Sequence, residues 1–301
     1  MAKKIGRFEN DAAQERYLRA YEELERLWPV PSTELTVRTS FGPTHVRRCG
    51  AGEGAPIVLL PGLEGTGLSW HPVIEELSRE RVVYAPDVVG TPGKSVQTAP
   101  IATGAEFARW LRELLSGLDI GSAHLVGMSQ GGWYVALAGI HRIPQLATMT
   151  LVDPAACLAR VRWSVLLRFA WVGLRPTDRN WKKLAEWLTP GVVISDRDQA
   201  LARAGVGYRM RLPWPRVLKD EQLQSITVPT LALFGAETVL YDPEPVAQRT
   251  LRTIPISEAE IYPGASHGLL FEIPEQVIPR ILRFIRKHEP VPIARTEDRN
   301  R

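Results

Sequence analysis

Gly127-Met128-Ser129-Gln130-Gly131 is the segment of this chain best arranged for nucleophilic chemistry. It follows the apolar run Ala123-His124-Leu125-Val126 and precedes a helical stretch that reaches about Ile140. A serine set between two glycines at a strand-to-helix turn forms a nucleophile elbow. The turn is so tight that only small residues fit two positions before and after the serine, which Gly127 and Gly131 supply. The strain lifts Oγ clear of the sheet. The backbone N–H of Gln130 points into the same space and can stabilise an oxyanion. A serine hydroxyl is a weak nucleophile until a base takes its proton. The candidate base is His267, in Gly264-Ala265-Ser266-His267-Gly268, after the last expected strand. His45, His71, His124, His141 and His288 fall in strands, helices or distal loops and read as structural. A second oxyanion donor is expected from the loop Leu60-Pro61-Gly62-Leu63-Glu64-Gly65-Thr66-Gly67, with the Leu63 N–H as candidate.

These residues need a scaffold, and the hydrophobic pattern supplies one. Tyr17, Leu18, Tyr21, Leu24, Leu27 and Trp28 share one side of a helix over 8–28, which Pro29 and Pro31 end. Strands are expected near Glu34–Arg38 and Thr44–Arg48 with Gly42-Pro43 as the turn, and Pro56–Leu60 reads as a strand buried on both faces. Helix 71–79, strand 82–85, helix 104–117, strand 123–127, helix 131–141 and strand 147–152 follow. Alternation resumes with strand 229–234, helix 243–253, strand 256–261 and helix 275–288, so the sheet should be mostly parallel. From Ala155 to about Ile226 no strand is expected. That segment carries Trp163, Trp171, Trp181, Trp187 and Trp214, five of the nine tryptophans.

A chain of 301 residues with 45% apolar content suits one large α/β domain with an insertion, or two small domains. No apolar run reaches eighteen residues, so no membrane span is expected. The opening Met-Ala-Lys-Lys-Ile-Gly-Arg-Phe is basic but lacks an apolar stretch, so a signal peptide is not expected and a cytoplasmic location is. The two cysteines, Cys49 and Cys157, lack metal-type spacing and read as buried free thiols. The net charge is +4, and residues 155–222 hold thirteen Lys+Arg against six Asp+Glu, leaving the rest of the chain mildly acidic. Basicity confined to one segment argues against a general nucleic-acid binder. Gly93-Lys94-Ser95 is not a phosphate loop, because Val88 stands where that motif needs a glycine.

The chain resembles the α/β-hydrolase fold proteins, and within them the bacterial serine carboxylesterases. The resemblance runs from about Gly6 to Lys287. It rests on the elbow and on Trp28-Pro29-Val30, Thr39-Ser40-Phe41-Gly42-Pro43-Thr44-His45-Val46, Asp87-Val88-Val89-Gly90-Thr91-Pro92-Gly93-Lys94-Ser95 and Gly235-Ala236-Glu237-Thr238-Val239-Leu240-Tyr241-Asp242-Pro243. It implies an α/β sheet with helices on both faces and a helical lid inserted after strand six. The expected division is an N-terminal helical extension (1–32), a core (33–154 and 227–288), the lid (155–226) and a disordered tail (289–301). It also implies ester hydrolysis without a cofactor.

Two positions depart from the family. The oxyanion loop begins Pro61-Gly62 where His-Gly is usual, and Thr238 stands where the family places the acid that orients the histidine. Three carboxylates could serve instead. Glu237 is one residue early, Asp242 is better suited to capping the next helix, and Asp153 ends strand six, where some α/β hydrolases, one group of haloalkane dehalogenases among them, carry their acid. The expected activity is hydrolysis of an ester of a small hydrophobic or aromatic substrate through an acyl-enzyme. Tryptophans and leucines on the inner face of the lid would line the pocket. A thioesterase or acyltransferase on a carrier-bound or natural-product acyl chain is the alternative, with the basic lid recruiting an acidic carrier protein. A non-hydrolytic binding or cyclase protein is the third, with Thr238 as its support.

Overall fold

The computed structural model describes residues 5–289 apart from Pro176. Eight strands form the main sheet: β1 (Ser32–Thr39), β2 (Gly42–Cys49), β3 (Ile57–Leu60), β4 (Val83–Pro86), β5 (Ala123–Met128), β6 (Leu146–Val152), β7 (Thr230–Gly235) and β8 (Ser257–Tyr262). Their spatial order is β1-β2-β4-β3-β5-β6-β7-β8. Every pair from β4 to β8 is parallel, and β2 runs antiparallel to both β1 and β4. All four residues of β3 are buried, as a continuous apolar run covered on both faces requires.

Helices cover both faces. They are α1 (Asp11–Glu25), α2 (Ile74–Ser78), α3 (Gly104–Gly117), α4 (Gln130–Ile140), α5 (Trp163–Leu174), α6 (Asp178–Leu188), α7 (Asp196–Gly205), α8 (Asp220–Gln224), α9 (Pro243–Thr253), α10 (Leu269–Glu272) and α11 (Pro274–Lys287). One core layer joins Leu125 of β5 and Phe234 of β7 to Phe107 and Trp110 of α3, Tyr134 of α4 and Val246 of α9. The opposite layer joins Val126 and Leu233 to Leu77 of α2 and to Ile281 and Phe284 of α11. Adjacent residues of β5 thus feed opposite layers, the period-two pattern of a strand. Helix α4 is buried from Gln130 to Gly139, so it shows no polar face. Helix α11 buries Val277, Ile278, Ile281, Phe284 and Ile285 at helical spacing.

The expected element order holds, with local corrections. The first helix is shorter than 8–28: Asn10 caps it and it ends at Glu25. The expected helix over 71–79 is a 3₁₀ turn at Gly67–Trp70 followed by α2, because Thr66 and Ser69 form a reciprocal cap that starts the turn early. A two-residue ribbon pairs Arg7–Phe8 with Tyr208–Arg209, inside the segment where no strand was expected. Helix α1 also packs on α7, with Tyr17, Tyr21 and Leu24 clustered around Leu68 and Leu201. Cys49 and Cys157 are free and buried. Among the described residues no helix is long and apolar enough to cross a membrane. The tail expectation for 290–301 lies outside the described residues. Glu289, assigned to that tail, is held by the Ala55 N–H at 2.8 Å and by Arg81 at 2.5 Å.

Candidate active site

Ser129 sits between β5 and α4 with φ 55° and ψ −120°, a conformation that side-chain-bearing residues rarely adopt. The surroundings enforce it. The Ser129 N–H donates to Val152 O at 2.9 Å, and its carbonyl accepts from the Gly132 and Ala155 N–H groups, both at 3.0 Å. A Cβ at Gly127 would lie 2.2 Å from Gly131 O, and one at Gly131 would lie 2.0 Å from Leu60 O. The corner therefore closes only with glycine at both places, at a backbone strain of about 1–3 kcal/mol.

His267 leaves the end of β8 and is 7% exposed. Its loop is fixed by Glu272, whose carboxylate takes the Ser266 N–H at 2.7 Å and the Ser266 hydroxyl. His267 Nδ1 lies 2.6 Å from Asp153 Oδ2. A carboxylate oxygen accepts, so Nδ1 carries the proton and Nε2 is left with a free lone pair.

Asp153 follows β6, is fully buried, and has φ 38°. Besides His267, Thr238 Oγ1 donates to Oδ2 at 2.7 Å and the Tyr241 hydroxyl donates to Oδ1 at 2.9 Å. Burial first, and the Asp153 carboxylate second, hold the Tyr241 phenol well above its usual pKa, so it stays a donor. Of the other candidate acids, Glu237 is exposed and makes no side-chain hydrogen bond among the described residues. Asp242 caps α9, its Oδ1 accepting from the Glu244 N–H at 3.3 Å. The hydroxyls of Thr238 and Tyr241 were not assigned a task from sequence. The signal was present: a post-β7 loop without its usual acid still carries two hydroxyls three residues apart.

Leu63 and Gln130 flank the same point. Neither main-chain N–H has an intramolecular acceptor among the described residues. Gly62 of the same loop faces the serine, and a Cβ there would be in ordinary contact with it, 3.9 Å from Ser129 Oγ. The loop is tethered at its far end by the fully buried Asp87, whose carboxylate accepts from the N–H of Gly67 at 2.9 Å and of Lys94 at 2.8 Å.

Two cavities, about 570 and 550 Å³, meet at Ser129 and His267 and share Leu63, Phe169, Leu188 and Trp214. The first extends past Val161, Val165 and Leu240 and is bordered by Arg160 and Arg162. The second extends past Trp70, Met128 and Phe271 and includes Glu64, whose carboxyl is raised in pKa by the protein crowded around it. Three of the five tryptophans of 155–226 line the cavities: Trp163 borders the first, Trp181 the second and Trp214 both, while Trp171 is 47% exposed and borders neither. Ser129 Oγ has no hydrogen-bond partner among the described residues.

The sequence model of the Alpha/beta hydrolase family matches residues 57–280. Carboxylesterase YbfK of Bacillus subtilis is 28% identical over 285 residues, covering 90% of this chain and 93% of its own. Its crystal structure superposes with a TM-score of 0.84 over 91% of this chain and 98% of that one. The naproxen esterase of B. subtilis superposes with a TM-score of 0.85 at 27% identity, over 92% of this chain and 99% of that one. With the strand order, the elbow and a family match over most of its length, this chain belongs to the α/β hydrolase family.

Proposed function

We propose that the protein is a cofactor-independent serine carboxylesterase acting through an acyl-enzyme. The observation that carries this is the 2.6 Å bond between His267 Nδ1 and buried Asp153, with His267 and the strained Ser129 bordering the same cavities. Ser129 Oγ attacks the ester carbonyl while His267 Nε2 takes its proton. The Leu63 and Gln130 amides hold the oxyanion. Asp153 fixes the tautomer of His267 and stabilises the imidazolium, and Thr238 and Tyr241 hold Asp153. The protonated His267 gives its proton to the departing alcohol, and water then releases the acyl group by the same steps in reverse.

Two largely apolar cavities meeting at the nucleophile suit a small hydrophobic or aromatic ester, one cavity for the acyl part and one for the alcohol. The names of the relatives, a carboxylesterase and a naproxen esterase, support this class. Helices α5 and α6 act as the lid over both cavities. Hydrolysis of p-nitrophenyl butyrate, read against Ser129→Ala, tests the proposal. Loss of all activity and of fluorophosphonate labelling in the variant is expected. Equal rates in both proteins would defeat it.

A thioesterase or acyltransferase would use the same residues, and Arg160 and Arg162 at the cavity border favour it by offering charge to a carrier. A higher kcat/KM for a carrier-bound thioester than for the free ester would support it. The Thr238 hydroxyl bonded to Asp153, with Asp153 bonded in turn to His267, weighs against the non-hydrolytic alternative.

A further inference from the structure

Helix α5 is apolar yet largely uncovered. Only Val165 and Val172 of its twelve residues are buried. Trp163 is 78% exposed, Leu167 66%, Trp171 47% and Leu174 83%. At 3.6 residues per turn these four lie within an arc of about 80°, opposite the buried valines. They form one continuous ridge of large apolar side chains, which soluble proteins seldom leave facing water.

The ridge is framed by cations. From Arg160 to Lys183 the sequence holds seven Lys+Arg and one Asp, and residues 154–177 contain no acid. Arg160, Arg162, Arg175, Arg179, Lys182 and Lys183 are exposed. Arg160, Arg162, Arg175 and Arg179 have no carboxylate partner among the described residues. The start of α5 is also unfavourable as it stands. Arg162 is its N-cap, with no side-chain cap and no acid in the first turn, so positive charge sits at the positive end of the helix. Bound anions would remove that conflict.

We propose that α5 and its flanking arginines dock the protein on an anionic lipid surface. Trp163, Leu167, Trp171 and Leu174 enter the boundary between headgroups and acyl chains, and the arginines meet lipid phosphates. The charge argues against a second copy of this chain, since two such faces repel. Trp163 and Leu166 of α5, with Arg160 and Arg162, also border the larger cavity, so docking brings its mouth to the lipid. Docking stands apart from the proposed hydrolysis and is read in the Ser129→Ala background, which removes turnover from the measurement.

The test is co-sedimentation with vesicles of phosphatidylcholine containing about 30% phosphatidylglycerol, against pure phosphatidylcholine. The protein should pellet with the anionic vesicles and about tenfold less with the neutral ones, with release at about 0.5 M salt. A Leu167→Glu/Leu174→Glu variant, altered at two exposed positions outside both cavities, should keep the parent's thermal midpoint and lose about tenfold in vesicle binding. No pelleting with anionic vesicles overturns the proposal, as does pelleting that the variant leaves unchanged. A dimer in sedimentation velocity that the variant turns into a monomer overturns it too, since the ridge is then covered by a second copy.

Discussion

Thr238 Oγ1 donates to Asp153 Oδ2 at 2.7 Å, and that same oxygen lies 2.6 Å from His267 Nδ1. The residue in the family's usual acid position thus supports a carboxylate on the neighbouring strand. The exchange is possible because β6 and β7 are adjacent and parallel, with Val152 paired to Leu233 and the Asp153 N–H bonded to Leu233 O. Their loops leave the sheet side by side, so a carboxylate on either can face the same imidazole.

If Asp153 is the orienting acid, Asp153→Asn should lower kcat/KM for p-nitrophenyl butyrate by about 10³–10⁴-fold, because the amide no longer fixes the tautomer or stabilises the imidazolium. Glu237→Gln should change it less than about twofold, since surface substitutions away from the site have small effects. Steady-state kinetics on both variants decides, and the reverse ranking would move the role to Glu237.

Thr238→Val and Tyr241→Phe each remove one donor from a fully buried carboxylate. Each should cost about 1–3 kcal/mol of stability, the price of leaving a buried acceptor short of a partner. A drop of about tenfold in kcat with KM nearly unchanged is expected as Asp153 loses its fixed position. Thr238→Ser restores the hydroxyl and should recover both quantities. Denaturant melts and kinetics on the three variants test this, and a Val variant with wild-type kcat would reduce Thr238 to packing.

The order of strands and helices was legible because the punctuation was strong. Buried strands such as Ile57–Leu60 end in glycine-rich loops, and the elbow glycines follow from sterics alone. Asp153 was legible only as one of three carboxylates. Choosing among them needs the distance between loops more than eighty residues apart in sequence, which local pattern does not carry. The Arg7–Phe8 ribbon was illegible for another reason, as two paired residues leave no periodicity. The insert was legible in part. Tryptophans and leucines expected to line the pocket do so at Trp163, Leu166, Trp181, Leu188 and Trp214, but composition could not show that α5 turns only Val165 and Val172 fully into the protein and leaves Leu167, Trp171 and Leu174 outside.

The elbow glycines give a stability prediction. Alanine at 131 would set a Cβ 2.0 Å from Leu60 O, a backbone atom of the central strand β3 that has no room to retreat. Gly131→Ala should cost about 3 kcal/mol or more, and Gly127→Ala a similar amount. Gly121→Ala is the control, since a Cβ there meets nothing within 4 Å. Thermal melts of the three should separate the first two from the third, and equal midpoints would mean that the corner opens without cost.

The last prediction concerns the end of β5 opposite Ser129. His124 is fully buried there, with Nδ1 2.9 Å from Thr148 Oγ1 and Nε2 3.7 Å from Glu289. Burial pushes its pKa down to about 4, against an attraction to Glu289 that works the other way. Desolvation raises the Glu289 carboxyl, but Arg81 and the Ala55 N–H outweigh it and hold the group low. For His124 the folded pKa lies below the unfolded value of about 6.5, so between pH 6.5 and 4 the unfolded chain binds the proton more readily. Stability is therefore full above about pH 6.5 and declines as pH falls toward 4, by about 2–3 kcal/mol from this residue. Glu289 adds to the same trend, because a carboxyl with a lowered folded pKa also loses its contribution on acidification. His124→Gln can keep a bond to Thr148 but has no proton to take up. Its stability should fall by about 2 kcal/mol less than that of the parent between pH 7 and 4.5, read from urea melts. Parallel curves for the two proteins would mean that His124 is hydrated in the folded state and contributes nothing to the acid sensitivity.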